Sequence, residues 1–193
     1  MKRSGLQRRP GNPAEGKPPE PRTKFAVDGM LGSLARKLRA LGFDALYYRS
    51  GEDSGLLALS LRDGRIILTA DRSLAARAES KGARVILAVG SSDGARIGSI
   101  ARCAASRGID LVRGPPLCSL CGGELLSVGK DRLPGKVPPS VVSRHRLFFV
   151  CAACGQVYWR GSHWKKLMSL ARRLGRKKDV AIPGRRTGSS KAR

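Results

Sequence analysis

The sequence predicts an α/β fold, a parallel sheet flanked by helices, followed by a small cysteine-rich module. Short apolar runs of strand length alternate with stretches of helical periodicity from residue 25 to residue 106. Parallel strands need crossover connections of this kind, so the alternation indicates a parallel sheet. After Pro115 and Pro116 the chain changes to paired cysteines, turn residues and short strand-like segments. The 193 residues are enough for one ordinary domain and one small module.

The strands and helices of the α/β part can be placed one by one. The first helix has leucines at helical spacing with basic residues on the opposite side, and Gly42 stands where a helix-ending glycine is expected. The run RIILT is the clearest buried strand, Gly82 closes the third helix, and Gly98 weakens the signal of the fourth. In chain order we predict strands at 25–27, 45–48, 65–69 and 84–89, and helices at 31–41, 54–62, 72–82 and 95–106.

The charge of the chain is strongly positive and concentrated near its two ends. Lys and Arg number 38 against 14 Asp and Glu, which gives a net charge of +24. This balance favours a polyanionic partner, nucleic acid above all, over an anionic membrane surface or a purely solubilising role. We divide the chain into a disordered basic arm (1–23), an α/β domain (24–114), the cysteine module with a following aromatic and basic segment (115–170), and a basic tail (171–193).

The sequence shows no sign of membrane insertion or secretion. No uncharged apolar run approaches the length of a membrane span, and no apolar segment follows the basic residues at the start of the chain. We therefore expect a cytoplasmic protein that makes no membrane contact and keeps its thiols reduced.

Four cysteines form two Cys-x-x-Cys pairs. Cys118 and Cys121 are separated by 29 residues from Cys151 and Cys154, and each pair can turn two thiolates toward one tetrahedral ion. This pattern predicts a structural zinc (Zn²⁺) held in a zinc ribbon, with the segments 137–142 and 146–150 forming a hairpin between the two pairs. Thiol redox chemistry, an iron–sulfur centre and chance pairing are the alternatives. For Cys103 we expect a buried inert thiol.

Three aspartates are placed where catalysis is expected in an α/β sheet. Asp28 follows the first strand, Asp71 follows the third, and Asp53 starts the helix between them. The ends of parallel strands converge on one crevice, and clustered carboxylates there favour a hard divalent cation. The implied chemistry is hydrolysis of a phosphodiester assisted by magnesium or manganese (Mg²⁺ or Mn²⁺). The alternative is that Asp28 and Asp71 cap the helices that follow them and that Asp53 is surface.

Several segments together resemble the ribonuclease domain first described at the C-terminus of the mut-seven exonuclease. They are FAVDGMLGSLARKLRALGFDALYY, EDSGLLALS, RIILTADRSLAARA and, from the second cysteine pair onward, CAACGQVYWRGSHWKKL. The resemblance covers about residues 24–170 and implies a PIN-like nuclease domain fused to a zinc ribbon. It also implies a metal-dependent ribonuclease.

The resemblance assigns roles to individual residues. Asp28, Asp53 and Asp71 match metal-binding acids of the PIN pattern, and the Thr69 hydroxyl is placed to help position them. For the fourth acid that PIN nucleases often carry, the chain offers only Asp93, which is displaced. The implied partner is RNA, with transfer and ribosomal RNA as candidates. The rival hypothesis is a non-catalytic RNA- or ribosome-binding protein with a vestigial nuclease site.

Basic and aromatic side chains are the candidates for RNA contact. Arginines near the crevice can bind phosphates, and aromatic rings beside the ribbon can stack on unpaired bases. The alternatives are a solvated helix face for the arginines and packing of the ribbon for the aromatic residues. The candidates are Arg36, Arg39, Arg72, Tyr158, His163, Trp164, Lys165 and Lys166.

Overall fold

A computed structural model describes residues 22–49, 52–133 and 137–174. The first part alternates strands and helices: β1 Lys24–Val27, α1 Gly32–Ala40, β2 Asp44–Tyr47, α2 Asp53–Asp63, β3 Ile66–Thr69, α3 Arg72–Ser80, β4 Val85–Leu87 and α4 Asp93–Ser106. The second part contains β5 Leu125–Val128, α5 Pro139–Arg144, β6 Phe148–Cys151, β7 Val157–Trp159 and α6 Ser162–Ala171. Short 3₁₀ helices lie at Gly29–Leu31, Lys130–Arg132 and Arg172–Leu174.

The first four strands form a parallel sheet in the order β2-β1-β3-β4, which confirms the α/β class predicted from the sequence. Val27 at the end of β1 pairs with Tyr47 of β2 on one side and with Leu68 of β3 on the other. The chain therefore leaves β1 toward one edge and later returns to its other side with β3. Such a reversal opens a crevice at the carboxyl ends of the two central strands.

The helices end where the sequence places glycines. α1 buries Leu34 and Leu38 while Arg36 stays exposed, as its leucine spacing predicts. Gly42 follows the helix with φ of +94°, and a Cβ at this position would lie 2.0 Å from the carbonyl oxygen of Gly114. Glycine is required there because both the positive φ and the close approach exclude a side chain.

The sheet is covered on both faces. Phe25 and Val27 point into a large cluster that includes Leu34 of α1, whereas Ala26 between them faces a second cluster with Leu74 of α3. The alternation along β1 follows from the period of two of a strand. Burial on both faces explains why β1 is an almost continuous apolar run.

The cysteine module is a three-stranded antiparallel sheet in the order β5-β6-β7. The predicted strand at 146–150 is present as β6, but the predicted hairpin partner at 137–142 was wrong, because that segment enters α5 instead. Pro138 occupies the N-cap of α5 and Pro139 its first turn. Proline suits the first position of a helix, since its fixed φ is helical and its missing N–H has no partner there anyway.

The fold extends beyond the predicted limits at both ends. Leu174, which the sequence assigned to the basic tail, is buried against the large core, and Leu167 of α6 packs against the same cluster. At the other end Thr23 donates its N–H to the carbonyl oxygen of Val112 at 3.0 Å. The rest of the predicted arm and tail lie outside the described residues, and the inner boundary at 114 stays a prediction. Within the described ranges, no helix combines the length and the apolarity that a membrane crossing requires.

Candidate active site and metal centre

Asp28 and Asp71 are joined through the hydroxyl of Thr69. This side chain is fully buried, donates to Oδ2 of Asp28 at 2.6 Å and accepts the backbone N–H of Asp71 at 3.0 Å. The backbone N–H of Asp28 donates to the carbonyl oxygen of Leu68 at 3.0 Å, which continues the β1–β3 pairing to the aspartate itself. The two carboxylates that the sequence places after β1 and β3 thus belong to one hydrogen-bonded unit in the crevice.

Asp71 also caps α3, as the alternative interpretation of the sequence holds. Its Oδ1 accepts the N–H and hydroxyl of Ser73 at 2.7 and 2.8 Å and the N–H of Leu74 at 3.2 Å. The hydrogen bond from the Ser73 hydroxyl, joined by those of the two N–H groups, holds the pKa of Asp71 below its usual value. The side chain of Asp28, by contrast, makes no capping hydrogen bond with the helix turn that follows it.

One oxygen of each aspartate is therefore held and the other is open. Within the described residues, Oδ1 of Asp28 and Oδ2 of Asp71 accept no hydrogen bond. Open carboxylate oxygens on fixed side chains are the donor set that a magnesium or manganese ion prefers. The two side chains fit such an ion by their chemistry.

Asp53 is connected to this pair only indirectly. It forms an ion pair with Arg77 of α3, whose guanidinium also donates to the Ser73 hydroxyl at 3.2 Å, and Ser73 in turn binds Asp71. The sequence reasoning missed Arg77. In the described part of the chain, only the four cysteines form a group whose possible metal-binding atoms all lie within 4.8 Å of one another. The carboxylate oxygens of the three aspartates do not all lie within this distance.

Asp93, the displaced fourth acid, is held by basic groups. It forms an ion pair with Lys37, accepts the hydroxyl of Ser33 on α1, and lies 3.6 Å from the guanidinium of Arg96. Burial raises the pKa of Asp93, but the hydrogen bonds from Lys37 and Ser33 and the nearby positive charges outweigh it and leave the pKa below its ordinary value. This carboxylate is ionised and already neutralised by its neighbours.

The three candidate arginines differ in their surroundings. Arg36 and Arg72 are exposed, but Arg39 has only 8% of its surface accessible. Its Nε donates to the carbonyl oxygen of Ala45 at 2.7 Å, and its Nη1 to those of Leu120 at 2.7 Å and Ser119 at 3.3 Å. The buried, carbonyl-bound guanidinium argues against the predicted contact of Arg39 with RNA phosphates.

The four cysteine sulfurs all lie within 4.8 Å of one another. Cys118 Sγ is 3.6 Å from Cys154 Sγ, and Cys121 Sγ is 3.4 Å from Cys151 Sγ. A tetrahedral zinc with four thiolates holds its sulfurs about 3.8 Å apart. The set therefore fits one zinc ion, and four thiolates complete its coordination shell.

Each Cys-x-x-Cys pair is closed by a glycine that the sequence reasoning overlooked. Gly122 and Gly155 directly follow the pairs with φ of +83° and +71°. The N–H of Gly122 donates to the carbonyl oxygen of Cys118 at 2.8 Å, and that of Gly155 donates to Cys151 at 2.9 Å. The repeated pattern Cys-x-x-Cys-Gly was the available signal, because the turn needs a residue that tolerates positive φ.

Tyr158 serves the cysteine group. Its hydroxyl lies 3.1 Å from Cys118 Sγ and 3.1 Å from the Ser119 hydroxyl. Burial, together with the hydrogen bond to Cys118, raises the pKa of Tyr158 to about 12, so the phenol stays protonated. Burial raises the pKa of Cys118, but hydrogen bonds from the Cys121 and Leu120 backbone and from Tyr158 outweigh it and bring the pKa to about 6. The pKa of Cys154 shifts the other way: the hydrogen bond from the Gln156 backbone lowers it, but hydrogen bonds with the neighbouring cysteines and burial outweigh this effect and raise the pKa to about 12. Metal binding requires the thiolate form of each cysteine.

The remaining aromatic and basic candidates lie at the start of α6. Trp164 is partly exposed with the guanidinium of Arg160 5.7 Å from the centre of its ring, and Lys165 and Lys166 are exposed. The side chain of His163 is outside the described part of the structure. Among the described side chains, Trp164, Lys165 and Lys166 make no recorded contact with the aspartates.

A family model described as the Mut7-C RNAse domain matches residues 23–171. The match includes the parallel sheet, the cysteine module and α6. No curated protein and no solved structure shows significant similarity to the chain.

Proposed function

The chain belongs to the Mut7-C RNAse domain family, and from this premise we propose that it is a divalent-metal-dependent ribonuclease. Membership of the family gives it a nuclease-type function with RNA as substrate or partner. The proposal adds the residues and the metal: Asp28 and Asp71 hold a magnesium or manganese ion, and Asp53, which is paired with Arg77, acts on this site from a distance. The class of RNA, transfer or ribosomal, is left to experiment.

The observation that carries this proposal is the bridge from Asp28 through Thr69 to Asp71. It ties the loops after β1 and β3 together at the crevice where open α/β sheets bind their ligands. It also leaves one oxygen of each carboxylate open toward a ligand. A cap or a surface charge alone would not need a fully buried hydroxyl between the two aspartates.

The residues of the chain divide the work of such a site. Asp28 and Asp71 would fix the position of the cation. Thr69 holds the Asp28 carboxylate and the Asp71 backbone, whereas Ser73 holds the Asp71 carboxylate. Arg77 holds Asp53 near the pair through Ser73. The bound ion supplies activation of a water molecule and stabilisation of the leaving oxygen of the phosphodiester. Arg72, exposed directly after Asp71, is placed to bind a backbone phosphate.

The cysteine module has a structural role in this proposal. Four thiolates leave no open position on zinc, so the ion stabilises the small sheet and takes no part in hydrolysis. Trp164, Lys165 and Lys166 give the adjoining helix an aromatic and basic face that suits single-stranded RNA. The hydroxyl of Tyr158 is engaged with Cys118, so we assign this residue to the zinc site.

One observation favours the rival function, a non-catalytic RNA- or ribosome-binding protein. Asp53 and Asp93 are paired with Arg77 and Lys37, so among the described residues only Asp28 and Asp71 of the four candidate acids have no basic partner. A site with fewer free carboxylates binds its cation more weakly. If the protein is non-catalytic, it binds RNA but does not cleave it.

The direct test is cleavage of a small panel of labelled RNAs by the full chain with magnesium or manganese. We expect Asp28→Asn and Asp71→Asn each to lower the rate at least about hundredfold, because each removes a charged ligand of the catalytic ion. RNA binding should be retained in both variants. Asp110→Asn makes the same substitution at an exposed carboxylate after α4 and serves as the matched control.

Three outcomes separate the hypotheses. Loss of cleavage in the two site variants but not in the control supports the ribonuclease. Full activity in both site variants contradicts the proposed site. Absence of cleavage by the wild-type protein under every metal, together with RNA binding that the aspartate substitutions leave unchanged, establishes the non-catalytic alternative.

A further inference from the structure

A basic cleft lies between α1 and the end of β2. It has a volume of about 410 Å³ and is lined by Gly32, Ser33, Arg36, Lys37, Tyr47 and Arg49. Three of these six residues carry a positive charge and none carries a negative one. The sequence analysis singled out Arg36 alone among them.

The two arginines of the cleft have no carboxylate partner among the described residues, whereas many others in the chain do. Ion pairs engage the guanidinium groups of Arg62, Arg65, Arg77, Arg96 and Arg107. Arg36 is exposed without such a pair, and Arg49 lies over the ring of Tyr47 with its guanidinium carbon 5.7 Å from the ring centre. Two exposed guanidinium groups without a carboxylate partner therefore lie at one cleft.

The third cation of the cleft is fixed in place from another helix. Asp93 at the start of α4 pairs with Lys37, and Lys37 also donates to the Ser33 hydroxyl at 3.3 Å. The ammonium group is thereby held beside the cleft. Asp93 thus has a role in this structure that does not depend on binding a catalytic metal.

The cleft begins beside the proposed catalytic aspartate. Tyr47 pairs with Val27 across the sheet, and its hydroxyl donates to the carbonyl oxygen of Gly29 at 2.6 Å. Asp28 lies between Val27 and Gly29 in the chain, so Tyr47 contacts both of its neighbours. A Cβ on Gly32 would lie 2.8 Å from the Tyr47 hydroxyl, so the first turn of α1 packs closely on this ring. From Gly32 to Arg36 the helix rises about 6 Å. Asp71 lies on the opposite, β3, side of Asp28.

We propose that this cleft is a subsite for a backbone phosphate of the RNA strand whose neighbouring phosphodiester lies at Asp28 and Asp71. The inference rests on the proposed function. It adds the path of the RNA strand, which crosses the carboxyl ends of the strands from the β3 side toward the β2 side. Guanidinium forks match the oxygens of a phosphate, and the positive charge of the cleft favours a polyanion. An acidic protein segment is the competing occupant that the experiment must separate.

The test is RNA binding in an Asp28→Asn background, with zinc present and no added magnesium, so that the RNA stays intact. A fluorescent single-stranded 12-mer is titrated against the full chain and against the same chain carrying Arg36→Ala and Arg49→Ala. We expect the double substitution to raise Kd about tenfold, because charge-assisted contacts to a phosphate are lost. A plot of the logarithm of the association constant against the logarithm of the salt concentration should become shallower by about 0.7, as for one phosphate contact fewer on a single strand.

The control substitutes Lys81→Ala and Arg102→Ala, which removes equal charge from exposed positions at the C-terminal parts of α3 and α4. We expect its Kd to stay within about twofold of the parent protein. Circular dichroism and thermal unfolding confirm that both double variants fold. In the wild-type background, the cleft variant should raise KM by a similar factor with kcat little changed.

Each result decides for or against the subsite. Equal Kd for the cleft and control variants overturns it, as does absence of RNA binding by the parent protein. Competition by polyglutamate as effective as by unlabelled RNA also overturns it in favour of an acidic protein partner. Binding that depends on the two arginines in a protein that never cleaves RNA refutes the ribonuclease but keeps the subsite. Cleavage that does not depend on these arginines supports the ribonuclease and refutes the subsite.

Discussion

Thr69 is the residue on which the geometry of the candidate site depends. Its hydroxyl is fully buried and uses both its donor and its acceptor capacity, one toward the Asp28 carboxylate and one toward the Asp71 backbone. The two aspartates belong to loops that follow different strands, so without this link their separation would vary with the motion of each loop. Residues that orient metal-binding side chains contribute to activity without touching the ion.

We predict that Thr69→Val lowers the rate of RNA cleavage about tenfold or raises the magnesium concentration needed, because the shape is kept and the bridge is lost. Thr23→Val is the matched control, since the Thr23 hydroxyl also donates once and accepts once: it donates to the carbonyl oxygen of Asp110 and accepts the Val112 N–H. Both variants should lose about 1 kcal/mol of stability. Equal rates for the two variants at saturating metal would contradict the positioning role of Thr69.

At the scale of elements, α1 connects the sheet to the cysteine module. The Arg39 guanidinium near its C-terminal end binds Ala45 of β2 and the carbonyl oxygens inside the first Cys-x-x-Cys pair. The N–H of Leu117 returns a hydrogen bond to the Arg39 carbonyl oxygen at 2.9 Å. Burial lowers the pKa of Arg39, while the negative charge of Cys121 and Cys118 opposes that effect. The same helix begins near Asp28, at the carboxyl ends of the strands, and so runs from the aspartates to the cysteine module.

We predict that Arg39→Ala lowers the free energy of unfolding by about 2–4 kcal/mol, since it leaves buried carbonyl groups without a donor. The variant should also release zinc to a chelator faster than the wild type, which a colorimetric zinc assay can follow. Arg62→Ala removes an exposed arginine whose partner is the adjacent Asp63, and should leave the free energy of unfolding nearly unchanged. Equal free energies of unfolding and equal rates of zinc release for Arg39→Ala and Arg62→Ala would show that the contacts of Arg39 do not stabilise the protein.

At the scale of the whole molecule, positive charge greatly exceeds negative charge, most of all in the two terminal segments of the sequence. Residues 1–21 and 175–193 hold 12 of the 38 basic residues and only 3 of the 14 acidic ones. The basic cleft, Arg72 and the face of α6 add positive charge on the described surface. Such a distribution attracts a polyanion over a distance, whereas the proposed cleavage would depend on the few aspartates at the carboxyl ends of the central strands.

We predict that deleting residues 1–21 and 175–193 weakens RNA binding about tenfold at 0.1 M salt and flattens its salt dependence, since counterion release at phosphates is reduced. The cleavage rate at saturating RNA should change little, because the aspartate site lies within the part that remains. Titrations at several salt concentrations measure both quantities. An unchanged salt slope would mean that the terminal segments only keep the protein soluble.

Much of the architecture is readable in the sequence because it follows from local rules. Periodicity predicts each strand and helix of the α/β part, and Gly42 and Gly64 end their helices because few other residues adopt positive φ. The paired cysteines predict a metal site by their spacing alone. Local rules failed at 137–142, where β-branched residues suggested a strand and the two prolines started a helix instead.

The partners of the site residues were decided only by tertiary structure. Thr69 meets Asp28 across 41 residues of sequence, Arg77 meets Asp53 across 24, and Arg39 reaches Leu120 across 81. These contacts depend on the β2-β1-β3-β4 order and on how the helices pack, which periodicity does not encode. The alternation of short apolar runs therefore established the kind of sheet, whereas long-range packing determined which aspartate stays open, which is neutralised, and which arginine is buried.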